Sequence, residues 1–371
     1  MNQPIRVLHV VTYMGRGGLE TMIMNYYRHI DRSKVQFDFL VHRDFRADYD
    51  DEIESLGGRI YRIPRLVPWS RSYRKILEQF FCVHPEYKIV HVHQDCLSSV
   101  ALKIAQKCGI PVRIAHSHSA SQDKNLKYLL KLYYKRSIPT YATQLFACGE
   151  EAGRWMFGGA PYRVVNNAIN TNLYAYDPQR TCEIRTALKI SHDTFVIGHV
   201  GRFDAVKNHT FLLDVFAEVN QQDPNSVLLL VGDGNLRPEM EKKAADLGIA
   251  NRVIFTGIRS DVPDLMQAMD CFAFPSIYEG IPVTLIEAQA AGIPCLVSDG
   301  VPAECDKTGL IKRLPLAAGV AGWAEMLMKT GQLSRQNTAE QIVRAGYDID
   351  ANARWLQEFY LNEFSLLGDC Q

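Results

Sequence analysis

Two cations stand close together in the second half of the chain. Arg202 and Lys207 lie in residues 200–208, directly after an apolar run, Phe195–Val200, that predicts a buried strand. In open α/β domains ligands bind at the carboxyl edge of the sheet, where such loops lie. Arginine offers a bidentate fork and lysine a mobile point charge, so the pair could neutralise a diphosphate leaving group without a metal ion. Two basic residues on a loop are also typical of an ordinary solvated surface.

Two glutamates, Glu279 and Glu287, stand eight residues apart at the start of a predicted helix. Gly280 and the helix N-terminus, with Pro282 near its first turn, offer backbone N–H groups to an anion. A carboxylate at Glu287, about one and a half turns into the helix, suits two vicinal ribose hydroxyls. Roughly one pair of glutamates with this spacing is expected by chance in a chain of this size. The prediction of an anion and ribose site therefore rests on the glycine and the helix N-terminus beside the pair.

A glycine-rich loop, Gly15-Arg16-Gly17-Gly18, follows the first predicted strand and precedes the first predicted helix. Glycines there let a backbone approach a phosphate, and the helix N-terminus adds N–H donors. Glu20 takes the place of the third glycine of a dinucleotide fingerprint, and no acidic residue ends the second strand, which weakens a dehydrogenase interpretation. A tight strand-to-helix turn without a ligand remains the alternative.

Two histidines, His116 and His118, end another predicted strand and are expected at the ligand edge of the first sheet. An HxH pair without a third ligand is weak evidence for metal binding. Residues 48–50 and 348–350 spell the DxD of metal-dependent sugar transferases, but neither follows a convincing buried strand. The sequence therefore predicts no metal site.

The elements that must position these residues alternate buried strands with helices along the whole chain, which predicts two doubly wound α/β domains. The turn-rich residues 162–176 mark the boundary between them. We predict an N-terminal domain over residues 1–165, a C-terminal domain over 166–346 and a final helical segment over 347–371. The predicted strands are residues 5–11, 35–41, 59–63, 89–92, 112–116, 144–147, 163–165, 195–200, 227–231, 253–255, 271–274 and 294–297.

Composition limits the alternatives. With 371 residues, 47% hydrophobic and 22% charged, the chain is ordinary globular material of two-domain size. Its longest apolar runs fall far below the roughly 20 residues of a membrane span, and its first residues run directly into a strand without a signal-peptide pattern. We therefore expect a cytoplasmic protein. The nine scattered cysteines argue against a disulfide framework or structural zinc and favour buried free thiols.

Charge is distributed unevenly along the chain. Residues 1–165 carry 24 lysines and arginines against 15 acidic residues, whereas residues 166–371 carry 17 against 26. The positive half favours an anionic partner, such as a phosphate-bearing acceptor or a membrane surface; packing of oppositely charged domains is the alternative. One predicted helix could lie on a membrane or be an ordinary surface helix. Its basic face carries Lys124, Lys127, Lys131 and Lys135, and its apolar face Leu126, Leu129, Leu130 and Tyr133.

In this order along the chain, the glycine loop, His118, Gly201-Arg202 with Lys207, and Glu279 to Glu287 resemble retaining GT-B glycosyltransferases of family 4. The resemblance covers the whole length. Five strings resemble bacterial exopolysaccharide-biosynthesis members of that family and are specific only together. They are Met14-Gly15-Arg16-Gly17-Gly18-Leu19-Glu20-Thr21, His116-Ser117-His118, Cys148-Gly149-Glu150, Val206-Lys207-Asn208-His209 and Tyr278-Glu279-Gly280.

The resemblance implies roles for single residues. Arg202 and Lys207 would hold the donor diphosphate and stabilise the leaving group, and Glu287 would bind the ribose. His118 would contact the transferred sugar and the developing oxocarbenium charge, with His116 as the alternative because the usual Thr-x-His-Asp ending reads His-Ser-His-Ser here. The remaining assignments are Glu279, Gly280, Ile281, Pro282 and Val283 to the sugar and phosphate, Ile258 beside the base, and Gly17 and Gly18 near the phosphates.

The resemblance also implies a role for each domain and a reaction. The acceptor would be held mainly by the N-terminal domain and the nucleotide-sugar donor by the C-terminal domain, and the final helix would pack back on the N-terminal domain. A hexose or N-acetylhexosamine would pass, with retained configuration, from a nucleotide diphosphate carrier to a glycan acceptor that could be lipid-linked. UDP is the expected nucleotide and GDP the alternative; no cofactor, metal or nucleic acid is expected, and peripheral contact with an anionic membrane is possible for the basic domain. A nucleotide-sugar epimerase, a phosphorylase-like enzyme and a non-catalytic nucleotide-sugar-binding module remain alternatives on the same fold.

Overall fold

The computed structural model of the chain describes residues 3–119 and 128–368. The chain forms two compact units. Unit 1 comprises Met1–Ala168 together with Ile349–Gln371, and unit 2 comprises Ile169–Asp348.

Unit 1 contains, within its described part, a seven-stranded sheet in which every pairing is parallel. Its order is β3-β2-β1-β4-β5-β6-β7. The strands are β1 (Ile5–Val11), β2 (Val35–Val41), β3 (Ile60–Arg62), β4 (Ile89–Val92), β5 (Val112–Ser117), β6 (Gln144–Ala147) and β7 (Arg163–Val164). The helices are α1 (Gly18–His29), α2 (Asp50–Ser55), α3 (Arg71–Val83), α4 (Ser98–Lys107), α5 (Tyr128–Lys135), α6 (Ile138–Tyr141) and α7 (Glu150–Phe157).

Unit 2 repeats the plan with a six-stranded parallel sheet in the order β10-β9-β8-β11-β12-β13. The strands are β8 (Phe195–Val200), β9 (Ser226–Val231), β10 (Val253–Phe255), β11 (Cys271–Phe274), β12 (Cys295–Val297) and β13 (Ile311–Arg313). The helices are α8 (Thr171–Tyr174), α9 (Pro178–Ala187), α10 (His209–Gln222), α11 (Arg237–Asp246), α12 (Val262–Gln267), α13 (Val283–Ala290), α14 (Gly319–Gly331) and α15 (Ala339–Ile342).

The last helix, α16 (Ile349–Ser365), returns to unit 1 and packs on α1, β1 and β2. The fully buried hydroxyl of Tyr360 lies 2.7 Å from Nδ1 of His91 on β4. Gln357 accepts a 2.7 Å hydrogen bond from the backbone N–H of Asp31. The end of the chain therefore completes the core of the first unit.

Each sheet is covered on both faces, as the alternation of side chains along one interior strand of each shows. On β8 of unit 2, Val196 and Val200 enter one apolar core and Ile197 enters the other. On β1, Val7 and Val11 enter one apolar core while Leu8 and Val10 enter the other. Successive side chains of a strand point to opposite faces, so a strand apolar at every position must be buried on both. The prediction of two doubly wound α/β domains is confirmed.

Two expectations need correction. The strand β13 was not predicted, because its run Ile311-Lys312-Arg313 is short and only its isoleucine is buried. Buried free thiols were predicted throughout, but two of the eight described cysteines, Cys82 and Cys182, are exposed, and Cys108 is half-buried. No helix within the described part of the chain has the length and apolarity of a membrane span.

Candidate functional site

The order of the strands in unit 2 reverses between β8 and β11, which lie side by side although two strands separate them in sequence. Helices on either side of such a point leave a crevice at the carboxyl ends of the strands. The segments that follow these two strands are residues 201–208 and 275–282. They contain Arg202 and Lys207 on one side and Glu279 to Pro282 on the other.

The segment after β8 is held in shape by its own side chains. A carboxylate oxygen of Asp204 accepts hydrogen bonds from the backbone N–H groups of Val206 and Lys207, at 3.0 and 3.1 Å. The carbonyl of Val206 in turn accepts a 2.8 Å bond from the N–H of Ile277, in the segment after β11. Asp204, which the sequence did not single out, therefore fixes the loop and helps join it to its neighbour.

Lys207 and Glu279 form an ion pair across these two segments. The ammonium of Lys207 lies 2.6 Å from a carboxylate oxygen of Glu279 and 4.7 Å from the centre of the Phe274 ring. The two side chains are only 18% and 13% exposed. The sequence assigned both residues to one site, and the structure brings them into contact. An anion that entered the crevice would displace the Glu279 carboxylate as the partner of the Lys207 ammonium.

Arg202 and Ile258 occupy more open positions. The side chain of Arg202 is exposed, and Ile258, three residues after the end of β10, is 51% exposed. The turn before Ile258 is fixed by Gly257, whose φ of 72° favours glycine and whose carbonyl accepts a 2.9 Å bond from the N–H of Gly232. Both residues are thus accessible to a ligand, but the structure does not bring them into contact with the ion pair.

The helix α13 begins at the site, with Pro282 as its extended N-cap residue. The first N–H groups of a helix have no partner within it and are available to anions. Since proline carries no N–H, the contact that the resemblance implies for Pro282 cannot be a backbone hydrogen bond, whereas Val283 is the first helical residue and carries an N–H. Ile281 and Val283 are buried, so their side chains anchor the turn.

Glu287 is 6% exposed in the fifth position of α13. One carboxylate oxygen accepts a 2.6 Å hydrogen bond from the hydroxyl of Tyr174 on α8, a residue the sequence did not single out. Burial raises the pKa of Glu287 to about 7, against an ordinary value of 4.5, although the tyrosine hydroxyl favours the ionised form. A carboxylate perturbed in this way is typical of a functional position.

Glu287→Gln is expected to stabilise the protein at alkaline pH. Between pH 4.5 and about 7 the folded wild type keeps a proton that the unfolded chain has lost, so its free energy of unfolding falls as pH rises through this window. Glutamine has no such proton and can still accept from Tyr174. We expect the variant to be more stable above this window by about 3 kcal/mol, measured by urea unfolding. A stability difference that does not grow from about pH 5 to about pH 8 would contradict the raised pKa.

The glycine loop of unit 1 lies directly before α1, as the sequence predicts, and its contact with phosphates stays a prediction. Gly17 is the N-cap of α1 and Gly18 its first residue, and a Cβ at Gly18 would meet no atom of the described chain within 4 Å. Packing within the unit therefore does not require glycine there. The open backbone leaves room for a ligand at the helix N-terminus.

His118 ends a chain of three imidazoles inside unit 1. Its Nε2 lies 2.9 Å from Nδ1 of His93, whose Nε2 lies 3.0 Å from Nδ1 of His9. Burial lowers the pKa of His118 and of His9 to about 3. The chain is therefore neutral near pH 7. His118 is its half-buried end, whereas the other two rings are buried.

His116 belongs to a second, deeper chain. It is 1% exposed, and its Nδ1 lies 3.1 Å from Nε2 of His91, which contacts the hydroxyl of Tyr360. Burial also lowers the pKa of His116 well below its ordinary value. The two predicted histidines thus differ in accessibility, because only His118 is partly exposed.

Ring nitrogens of His93, His116 and His118 lie within 4.8 Å of one another, as do those of His9, His91 and His93. Such a spacing could supply metal ligands. Direct hydrogen bonds between histidines use most of these nitrogens and account for the arrangement as neutral imidazole chains. The prediction that the site uses no metal stays a prediction.

The predicted basic helix is described in part, as α5; Lys124, Leu126 and Lys127 lie outside the described residues. Leu129 and Tyr133 are 76% and 70% exposed. Lys135 does not lie on a free basic face, because its ammonium donates to the carbonyl of Trp155 and lies 4.3 Å from the centre of that ring. The exposed apolar residues are compatible with a membrane surface, which stays a prediction.

Comparison with known proteins identifies the family. The model for glycosyl transferases group 1 matches residues 181–307, and the model for glycosyltransferase family 4 matches residues 16–173. The chain is 38% identical over 372 residues, 96% of each protein, to the putative glycosyltransferase EpsF of Bacillus subtilis. It is 26% identical over 225 residues, 58% of each protein, to the Escherichia coli UDP-Gal:alpha-D-GlcNAc-diphosphoundecaprenol alpha-1,3-galactosyltransferase.

Solved structures agree on the fold. The crystal structure of Anabaena Alr3699/HepE in complex with UDP and glucose matches with a TM-score of 0.77 and 19% identity, over 96% of this chain and 99% of that one. WaaG, a glycosyltransferase of lipopolysaccharide biosynthesis, matches with a TM-score of 0.73 and 16% identity, over 95% and 99% of the two chains. The chain therefore belongs to glycosyltransferase family 4 and is a hexosyltransferase with the GT-B fold.

Proposed function

We propose that this enzyme transfers a hexose or N-acetylhexosamine from a UDP-sugar to a lipid-linked glycan acceptor, with retention of the anomeric configuration, in exopolysaccharide or capsule biosynthesis. The observation that carries the proposal is the crevice of unit 2, where Lys207, Glu279 and the N-terminus of α13 lie at the switch point of a parallel sheet. The family relation supports the reaction class.

The diphosphate of the donor would bind at the Lys207–Glu279 pair. The ammonium of Lys207 is already held in place by Glu279 and by the Phe274 ring. Little further side-chain entropy is therefore lost when a phosphate replaces the carboxylate. Arg202, exposed on the same segment, would add a second cation as the leaving group gains charge. Two cations and a helix N-terminus supply this stabilisation without a metal ion.

The ribose of the donor would bind Glu287. Its carboxylate already holds one hydroxyl, that of Tyr174, at 2.6 Å, and its remaining lone pairs could accept from ribose. The raised pKa supports this role, since ribose hydroxyls would satisfy a charge that burial otherwise disfavours. HepE, a protein of the same fold, is known in complex with UDP and glucose, which supports UDP as the nucleotide here.

We assign the transferred sugar to His118 rather than to His116. His118 is half-buried, while His116 is enclosed with His91 beneath it. A neutral imidazole can accept from a sugar hydroxyl while positive charge develops on the ring. Attack from the front face, with the leaving phosphate taking the acceptor proton, would then give retention. Because the leaving phosphate takes this proton, Glu279 is not needed as the base.

Removing the carboxylate of Glu287 should weaken binding of the nucleotide. UDP is expected to raise the melting temperature of the wild type in the absence of divalent metal, by mass action, whereas GDP and ADP should not. Glu287→Ala is expected to weaken UDP binding about 10- to 100-fold, as for loss of charge-assisted hydrogen bonds. Glu304→Ala, a second glutamate of the same unit, is the control. Equal stabilisation of wild type and Glu287→Ala by UDP would refute the ribose assignment.

A further inference from the structure

Unit 1 contains a cavity of about 260 Å³ to which neither the nucleotide nor the transferred sugar has been assigned. It opens where β1, β2 and β4 end, which is the carboxyl edge at which α/β sheets bind ligands. Its lining is made entirely of unit 1 residues. They are Thr12, His42, Arg43, Arg65, Leu66, His93, Gln94, Asp95, Cys96, Leu97 and Lys131.

The lining is basic. Arg43, Arg65 and Lys131 contribute three cations, against the single carboxylate of Asp95. Arg43 is half-buried, and its Nη1 donates a 2.8 Å hydrogen bond to the carbonyl of His42, which fixes the guanidinium beside the cavity. Cations that converge on a concave wall of low dielectric attract anions more strongly than the same charges spread over a surface.

Neutral polar groups complete the wall. The side-chain amide of Gln94 lies 2.8 Å from Nδ1 of His42, whose Nε2 lies 2.8 Å from the hydroxyl of Tyr73. Asp95 has a φ of 45°, a conformation uncommon for residues other than glycine, in the turn that forms this side of the cavity. An ordered polar wall of this kind suits a ligand with several acceptor oxygens.

The cavity adjoins the histidine assigned to the transferred sugar. His93 lines the cavity, and its Nδ1 lies 2.9 Å from Nε2 of His118. A group bound in the cavity is therefore one imidazole away from His118. The volume lies just below the 300–1,000 Å³ of pockets that enclose drug-sized ligands, so it fits one charged group of a larger molecule.

We propose that this cavity is an acceptor subsite that binds a phosphate or diphosphate ester through Arg43, Arg65 and Lys131. The acceptor is then a sugar attached to phosphate, with its hydroxyl presented toward His118. The lining of the cavity supports an anion site by itself, whereas the assignment of that site to the acceptor rests on the proposed glycosyl transfer. The phosphate group is common to a lipid-linked sugar diphosphate and to a membrane headgroup.

Binding of inorganic pyrophosphate tests the site independently of catalysis. Titration calorimetry is run with saturating UDP, so that the donor site is filled. Arg43→Gln/Arg65→Gln is expected to weaken pyrophosphate binding about 10- to 100-fold relative to wild type. Arg71→Gln/Lys75→Gln removes the same charge from exposed positions of α3 and should bind like wild type. No binding to wild type, or equal loss in both double variants, would overturn the anion site.

Kinetics then separates an acceptor from a headgroup. The acceptors are an N-acetylhexosamine 1-diphosphate ester and the neutral alkyl glycoside of the same sugar. Arg43→Gln/Arg65→Gln should raise KM for the diphosphate about 10- to 100-fold, with donor KM and turnover of the neutral glycoside unchanged. Equal effects on both acceptors would overturn the subsite. Loss of sedimentation with phosphatidylglycerol vesicles, with acceptor KM unchanged, would assign the cavity to a headgroup instead. Failure of the proposed function appears differently, as no transfer by wild type to either acceptor.

Discussion

His118→Ala is expected to lower kcat for glycosyl transfer by about 100- to 1,000-fold, the usual effect of losing one group that stabilises the transition state. The imidazole is held by His93 at 2.9 Å, so its orientation is fixed before the substrate arrives. Its neutral state near pH 7 leaves it able to accept from a sugar hydroxyl. The measurement is single-turnover transfer with saturating UDP-sugar, which separates chemistry from product release.

His116→Asn is the matched comparison, since it changes a histidine only two residues away, on β5. Asparagine can still hydrogen bond to His91, so we expect kcat within about tenfold of wild type and a lower melting temperature from the repacked interior. The affinity for UDP should be unchanged in both variants. If His116→Asn lost activity and His118→Ala kept it, the assignment would have to be exchanged.

Lys207→Ala is the second change with a large expected effect, a fall of about 100- to 1,000-fold in kcat. The ammonium of Lys207 is firmly positioned in the crevice of unit 2 by its ion pair with Glu279. Its removal takes a positive charge away from both the leaving phosphate and the carboxylate of Glu279. The affinity for UDP should also fall, because the ground-state diphosphate carries charge. Donor KM and kcat are measured by release of UDP at saturating acceptor.

Two further variants control for the loss of an ion pair. Lys243→Ala removes a lysine whose ammonium lies 2.7 Å from a carboxylate oxygen of Asp214 in the same unit but outside the site segments, and it should keep full activity. Glu279→Gln keeps the volume at the site but removes the partner of Lys207. It should retain UDP binding while lowering kcat if Glu279 meets the sugar. Activity of Lys207→Ala within about threefold of wild type would exclude its role at the leaving group.

The sequence predicted the fold well because buried parallel strands are apolar at every position and alternate with helices. It also placed Lys207 and Glu279 at one site, because residues that end neighbouring strands of such a sheet lie at a common edge. The edge strand β13 was missed, because only one of its three residues is buried and it therefore lacks the apolar run of an interior strand. Contacts between side chains from distant parts of the chain, such as Tyr174 with Glu287, leave no local pattern to detect.

The imidazole chains were partly visible in the sequence. His91 and His93 repeat the i, i+2 spacing of His116 and His118 at the end of the preceding predicted strand, and side chains two apart share one face of a sheet. That signal could have brought His93 beside His118. The basic cavity could not have been found in this way. Nothing in the sequence distinguishes Arg43 and Arg65 from ordinary surface arginines, and only the order of the strands brings them to one cavity.

The anomeric configuration of the product is the decisive measurement for retaining, metal-independent transfer. Wild type is incubated in excess EDTA with UDP-glucose, UDP-galactose or UDP-N-acetylglucosamine and with the diphosphate-linked acceptor, and the new linkage is identified by proton NMR. We expect at least one donor to give an α-linked product and UDP at undiminished rate without divalent metal. A β-linked product, or transfer that appears only when metal is restored, would contradict retaining, metal-independent transfer.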